Sequence, residues 1–126
     1  MVKFIIPKGL SDETEKFMND VISELNERGV IEDIDLGAMR MLATSYEMYK
    51  RATELLLRDG PVVVVNFARV VNPAQASATK NYAQVIKIMT EYGLTIKSRA
   101  HISSMNVEKS DTPLDNYFKN RSIEAR

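Results

Sequence analysis

One long helical pattern places the strongest constraint on the fold of this chain. Apolar residues recur at the spacing of a single helix face over Leu36–Asp59, which corresponds to about six turns of α-helix. Gly60 and Pro61 follow directly, and proline cannot continue the hydrogen-bond ladder of a helix. Because such a helix buries its apolar face by packing on other helices, the pattern predicts a mainly α-helical protein.

Two further helices are predicted, one on each side of the long one. Ser11 is typical of a helix N-cap and precedes a pattern that predicts a helix over Asp12–Arg28. Asn72 is also typical of a cap and precedes a third helical pattern, which ends at Gly93. The apolar positions of this third helix are Ala78, Tyr82, Val85, Ile86, Met89 and Tyr92.

A valine-rich segment lies between the second and third helical patterns. It predicts a short β-hairpin of Val62–Val65 against residues 69–71, with residues 66–68 in the turn. Thr95 is predicted to cap a short last helix over residues 96–104. The predicted fold is therefore mainly α, with three to four helices, a helical hairpin core and a small β-hairpin.

The composition argues against several classes of chemistry. The chain has no cysteine and one histidine, which excludes disulfides, thiolate zinc sites and a cysteine nucleophile. It also lacks the glycine-rich loop that cradles the phosphates of ATP. We interpret His101 as a surface or helix-end residue. Glu32, Asp33 and Asp35 could be metal ligands, but their place before a helix favours a capping cluster. The sequence thus predicts a non-enzymatic protein without a cofactor.

Charge is unevenly distributed along the chain. The formal net charge is zero, yet residues 61–107 carry five cations against one carboxylate. Such a segment creates a positive local field, and cations alone suffice for contacts with phosphates. A solvated helix face is the alternative interpretation. The candidate DNA-binding residues in this segment are Lys80, Lys87, Lys97 and Arg99.

The junction before the last helix resembles a helix-turn-helix. Gly93, Leu94 and Thr95 form the turn, and Lys97 and Arg99 fall in the first turns of the following helix. An ordinary helix end followed by an ordinary N-cap gives the same local pattern. The junction alone therefore leaves both readings open.

Three longer segments together resemble the small terminase subunit of tailed phages. They read PKGLSDETEKFMNDVISEL, RGVIEDIDLGAMRMLATSYEMYKRATELLLRDG and VVNPAQASATKNYAQVIKIMTEYGLTIKSRAHI, so that the resemblance covers residues 7–102. The most specific elements are Asn72-Pro73-Ala74 and Gly93-Leu94-Thr95 with Ser98-Arg99. The chain departs from the family pattern at Ile96, where many relatives have proline, and in the hairpin, where a glycine is missing.

The resemblance implies a non-catalytic component of genome packaging. Such proteins form rings of roughly eight to ten subunits, a closed heterologous assembly. They bind double-stranded phage DNA near the packaging start and regulate the ATPase and nuclease of the large terminase subunit. The implied location is the host cytoplasm, without a membrane partner.

The resemblance and the composition also suggest how the chain is divided. Residues 1–106 are expected to form a helical oligomerisation and DNA-binding domain, and residues 107–126 a mobile tail. The tail carries one apolar cluster, Leu114, Tyr117 and Phe118, which is predicted to bind the large subunit or another packaging partner.

Two other functions remain open at this point. A transcriptional regulator would use the last helix to read a palindromic operator and would be a dimer. A helical scaffold would bind only protein. The mass in solution separates a ring from a dimer.

Overall fold

The computed structural model describes residues 1–109, with side chains as far as Ile102. This part of the chain is mainly helical and contains one antiparallel two-stranded hairpin, as predicted. The elements are α1 (Asp12–Arg28), a 3₁₀ turn (Asp33–Asp35), α2 (Leu36–Asp59), β1 (Val62–Val65), β2 (Ala68–Val71), α3 (Ala74–Glu91) and α4 (Ile96–Lys109). The chain divides into two compact units, Met1–Met89 and Thr90–Arg126.

The bounds predicted for α1 and α2 are confirmed, because local signals set both ends. The hydroxyl of Ser11 accepts a hydrogen bond from the amide of Thr14 at 3.4 Å, which satisfies one of the unpaired donors of the first turn. Gly29 ends α1 in the left-handed conformation, with φ 66°. Gly60 follows α2, and its amide donates to the carbonyl oxygen of Leu56 at 2.8 Å.

The core of the first unit lies between α1 and α2. Met18 and Leu25 of α1 and Met39 and Leu42 of α2 are completely buried. Burying one such side chain stabilises the fold by about 1.5–3 kcal/mol. The rings of Phe17 and Tyr46 stack at the edge of this core with centroids 4.1 Å apart. The helical hairpin core predicted from the sequence is therefore present.

The turn of the β-hairpin differs from the prediction. β2 begins at Ala68, which pairs with Val65, so the turn has two residues and not three. Asn66 and Phe67 both have positive φ, at 51° and 65°, the conformation that a two-residue hairpin turn of this kind requires. Phe67 thus occupies a backbone position that normally favours glycine, and this explains how the hairpin closes without one.

Asn72 connects the hairpin to α3. Its side-chain oxygen accepts a hydrogen bond from the amide of Ala74 at 3.0 Å, and its side-chain nitrogen donates to the carbonyl of Gly60 at 2.9 Å. The predicted cap is confirmed, and the same residue also ties together the two ends of the hairpin.

The predicted apolar face of α3 is only partly correct. Ala78 and Val85 are buried as expected, but Tyr82 and Ile86 are exposed, with exposed fractions of 54% and 38%. Ile88, which was not predicted, is buried. The ring of Tyr82 lies 5.8 Å from that of Tyr49 on α2, so Tyr82 faces α2 as predicted although it is partly exposed.

The second unit contains the last two residues of α3 and the whole of α4. Thr95 and Ser98 cap α4 reciprocally, since each side-chain hydroxyl accepts a hydrogen bond at 3.1 Å from the backbone amide of the other residue. The predicted cap is confirmed. The helix itself is longer than predicted and extends to Lys109. No helix in the described part of the chain is long and apolar enough to cross a membrane.

Candidate nucleic-acid interface

The structure places all four predicted DNA-binding cations at exposed positions. Lys80 and Lys87 lie on α3 in the first unit, and Lys97 and Arg99 lie on α4 in the second. Lys80 and Lys87 are seven residues apart, which brings them onto one side of the helix. Among the side chains of residues 1–102, none forms an ion pair with any of these four cations.

The two cations of α4 are not brought together. Lys97 and Arg99 are two residues apart on a helix, so they point to different sides. Lys97 lines a groove of about 440 Å³ that also contains Glu91 and His101, whereas Arg99 does not line it. His101 itself is exposed, as the sequence suggested. The carboxylate of Glu91 therefore offsets part of the positive charge of Lys97 in this groove. The groove is less positive than the excess of cations in residues 61–107 suggested.

A second groove contains a cation that the sequence analysis missed. It has a volume of about 460 Å³ and lies between α2 and α3. Arg40 of α2 and Lys80 of α3 both line it, and both side chains are exposed. The residues that complete its lining are Met41, Thr44, Ser45, Asn81 and Gln84.

Arg40 differs from the other cations of α2 because it has no ion-pair partner there. Lys50 contacts Glu54 at 2.9 Å, Arg51 contacts Glu47 at 3.1 Å and Arg58 contacts Asp59 at 2.8 Å. The sequence contains the signal that distinguishes Arg40: no carboxylate stands three or four positions before or after it. Arg40 thus keeps its full charge available to a ligand.

One acidic residue of α2 is buried and belongs to the structural core. Glu47 is 1% exposed, and its carboxylate joins α2 to the start of α1. It accepts hydrogen bonds from the amide of Ser11 at 3.2 Å, the hydroxyl of Ser11 at 2.8 Å, the hydroxyl of Thr14 and the guanidinium of Arg51. Sequence reasoning missed this network, because a glutamate in an amphipathic helix is normally solvated.

These contacts control the ionisation of Glu47. Burial alone raises the pKa of the carboxyl group and is the largest individual effect. The hydrogen bonds from Thr14, Ser11 and Arg51 oppose it and together lower the pKa from 4.5 to about 2. Glu47 is thus a carboxylate at neutral pH, and its role is to hold α1 against α2.

The acidic cluster before α2 forms a capping box, the arrangement that the sequence favoured. The side chain of Asp35 accepts a hydrogen bond from the amide of Glu32 at 2.9 Å, and the side chain of Glu32 accepts one from the backbone of Asp35. Asp35 stands at the N-cap position of α2, but its side chain caps the 3₁₀ turn and not α2 itself. Among the described residues, no group of histidine, aspartate or glutamate side chains could hold a metal ion.

The predicted partner-binding cluster cannot be placed on this structure. Leu114, Tyr117 and Phe118 lie outside the described residues. Their role in binding the large subunit, and the division into residues 1–106 and 107–126, stay predictions.

Comparison with protein families decides what kind of protein carries these features. The family described as phage terminase, small subunit, matches residues 16–109, which covers all of α2, the hairpin, α3 and α4. The chain belongs to the phage terminase small subunit family. No curated protein and no solved structure matches the chain. This match confirms the resemblance stated from the sequence. Small terminase subunits act in packaging the viral genome and are in general non-catalytic.

Proposed function

We propose that this terminase small subunit forms a ring, binds double-stranded viral DNA as that ring, and regulates the large terminase subunit during packaging in the host cytoplasm. The ring would contain roughly eight to ten copies, arranged as a closed heterologous assembly. Family membership supports the packaging role. The observation that carries the proposal is the exposed, apolar β-hairpin.

One face of the hairpin is entirely apolar, and the other is apolar except for Arg69. The cross-strand pairs place Val63, Val65, Ala68 and Val70 on one face and Val62, Val64, Arg69 and Val71 on the other. Every strand residue except Val63 is exposed, and Phe67 at the tip is completely exposed. An exposed apolar surface of this kind marks an interaction site.

The backbone of the hairpin also has unpaired strand edges that a partner could bind. Each strand has an outer edge whose amide and carbonyl groups lack a strand partner in this two-stranded sheet. A two-stranded hairpin is marginally stable in water, and additional strands give it a stable sheet. Since both edges are available, each copy can pair with a copy on either side. Repetition of this contact generates a closed ring when the rotation between copies closes.

Assembly also explains how a protomer of zero net charge binds a polyanion. One protomer offers a few exposed cations, which give only weak, salt-sensitive contacts with phosphates. A ring repeats these cations around its circumference and raises their effective concentration near the DNA. Family membership favours this interpretation over the dimeric transcriptional regulator. A regulator of that kind would read base edges with one recognition helix in each protomer.

Charge reversal at the predicted cations tests DNA binding. We expect simultaneous replacement of Lys80, Lys87, Lys97 and Arg99 with glutamate to weaken binding to a duplex by more than about a hundredfold at low salt, because each lost phosphate contact acts at every protomer. Fluorescence anisotropy with a labelled duplex measures the loss, and light scattering verifies that the assembly is intact.

The control reverses three cations of the N-terminal part of the chain, one fewer than the test variant. Lys3, Lys8 and Lys16 are also exposed, and their replacement with glutamate changes the net charge in the same direction. Unchanged duplex affinity in the first variant, or an equal loss in both, would contradict the assignment of these four residues.

A further inference from the structure

We propose that the groove between α2 and α3 binds the phosphate backbone of double-stranded DNA, with Arg40 as its principal contact. This inference rests on the proposed function, because it locates within the protomer a contact that the ring would repeat. The groove belongs to the first unit, where Arg40 and Lys80 line it from opposite helices. Two cations that line one groove from different helices can both contact phosphates of a bound duplex.

The charge around the groove favours an anion. None of its lining residues is acidic. Arg40 and Lys80 take part in no ion pair within the described part of the chain. An arginine side chain binds phosphate through two parallel hydrogen bonds, which adds geometric specificity to charge attraction. The groove therefore offers an unopposed positive site.

The polar residues of the groove add hydrogen-bond donors. The side chains of Ser45 and Gln84 line the groove and have no hydrogen-bond partner among the side chains of residues 1–102, so they are available to a ligand. The other two polar side chains already make local contacts: Thr44 donates to the carbonyl of Arg40 at 3.0 Å, and Asn81 donates to the carbonyl of Ser77 at 2.8 Å. Serine and glutamine side chains are common partners of DNA phosphates.

The shape and chemistry of the groove favour a nucleic-acid backbone over a free nucleotide. Its lining contains no aromatic ring on which a base could stack, and Met41 is its one large apolar residue. It also lacks the glycine-rich backbone loop that encloses the phosphates of ATP. The groove can therefore bind phosphate but offers no means of reading bases. Such contacts are typical of binding that does not depend on DNA sequence.

The decisive variant is Arg40→Gln. Arg40 is not among the four DNA-binding cations predicted from the sequence, so an effect of this substitution tests the groove separately from that prediction. We expect it to weaken binding to a 30-base-pair duplex by about tenfold or more. The dependence of log K on log salt should become shallower by about one for each Arg40–phosphate contact that is lost. Arg40→Lys, which keeps the charge, should retain the salt dependence. The Arg40→Gln/Lys80→Gln double variant should lose more than either single variant.

The control is Lys16→Gln, which removes an exposed cation from α1. It should leave the duplex affinity and the salt slope unchanged. Light scattering and circular dichroism on every variant verify that mass and helix content match those of the wild type. A second arm adds Mg-ATP at the phosphate concentration of the duplex, and it should not displace the DNA.

The outcomes separate this inference from the function on which it rests. A wild-type protein that binds no duplex contradicts the proposed DNA-binding function. A wild type that binds the duplex, with Arg40→Gln equal to it in affinity and salt slope, overturns the groove alone. Displacement of the duplex by Mg-ATP in the wild type but not in Arg40→Gln assigns the groove to a free nucleotide and overturns the DNA assignment.

Discussion

Replacing Val65 with aspartate should convert the proposed ring into single protomers. Val65 lies on the hairpin face that carries no charged residue, and its cross-strand partner is Ala68, which cannot neutralise a carboxylate. The side chain is 51% exposed in the protomer, so the substitution should cost the protomer about 1 kcal/mol or less. In a ring each interface would bury an unpaired charge, which costs several kcal/mol and recurs at every contact.

Light scattering coupled to gel filtration measures this effect, and the same samples are tested for duplex binding. We expect Val65→Asp to lose DNA affinity together with mass, although every cation is intact. Ile5→Asp is the matched control, because Ile5 is 89% exposed and lies outside the hairpin. A Val65→Asp protein with the same mass as the wild-type protein would show that the hairpin is not the assembly surface.

The second large effect is expected at Glu47. Replacing it with alanine removes the shared acceptor of the Ser11 amide, the Ser11 and Thr14 hydroxyls and the Arg51 guanidinium. The Arg51 side chain is 54% exposed and can be solvated instead. A buried donor that loses its acceptor costs about 1–3 kcal/mol, so we expect the donors of Ser11 and Thr14 together to destabilise the fold by about 3 kcal/mol. Glu54→Ala is the control: it removes an exposed ion pair with Lys50 and should cost less than about 1 kcal/mol. Urea unfolding at one fixed protein concentration measures both free energies of unfolding.

The ionisation of Glu47 adds a dependence on pH. Because the pKa of its carboxyl group is lowered from 4.5 in the unfolded chain to about 2 in the fold, the carboxylate stabilises the fold fully above pH 4.5. This contribution of about 3 kcal/mol is lost as the pH falls toward 2. Glu47→Gln should be less stable at neutral pH and should lack this part of the acid-induced loss. An unchanged pH dependence between pH 4.5 and 2.5 in Glu47→Gln would contradict the role of the network.

The helices could be predicted from the sequence because their ends are set locally. Ser11 and Gly29 frame α1, and Asn72 caps the turn that leads into α3, through contacts within a few residues along the chain. The hairpin was predicted, but its turn length was not. A two-residue turn of this kind usually contains glycine, whereas Asn66 and Phe67 adopt the positive φ values here.

Features that depend on packing between helices could not be predicted in the same way. Ile88 is buried whereas Ile86 is 38% exposed, and helical spacing alone did not separate these two isoleucines. Glu47 is buried because α2 crosses the start of α1 at that residue. The pairing of Arg40 with Lys80 in one groove likewise arises only when α2 and α3 lie side by side. The sequence therefore identified Lys80 as a candidate but not the residue opposite it.

The mass of the wild-type protein in solution, measured together with duplex binding over a range of protein concentrations, tests the central claim most directly. If assembly creates the DNA-binding surface, the protein has the mass of roughly eight to ten protomers, and duplex affinity falls as dilution dissociates the assembly. A monomer that holds the duplex tightly would contradict the claim, and a stable dimer specific for a palindromic site would favour the transcriptional regulator.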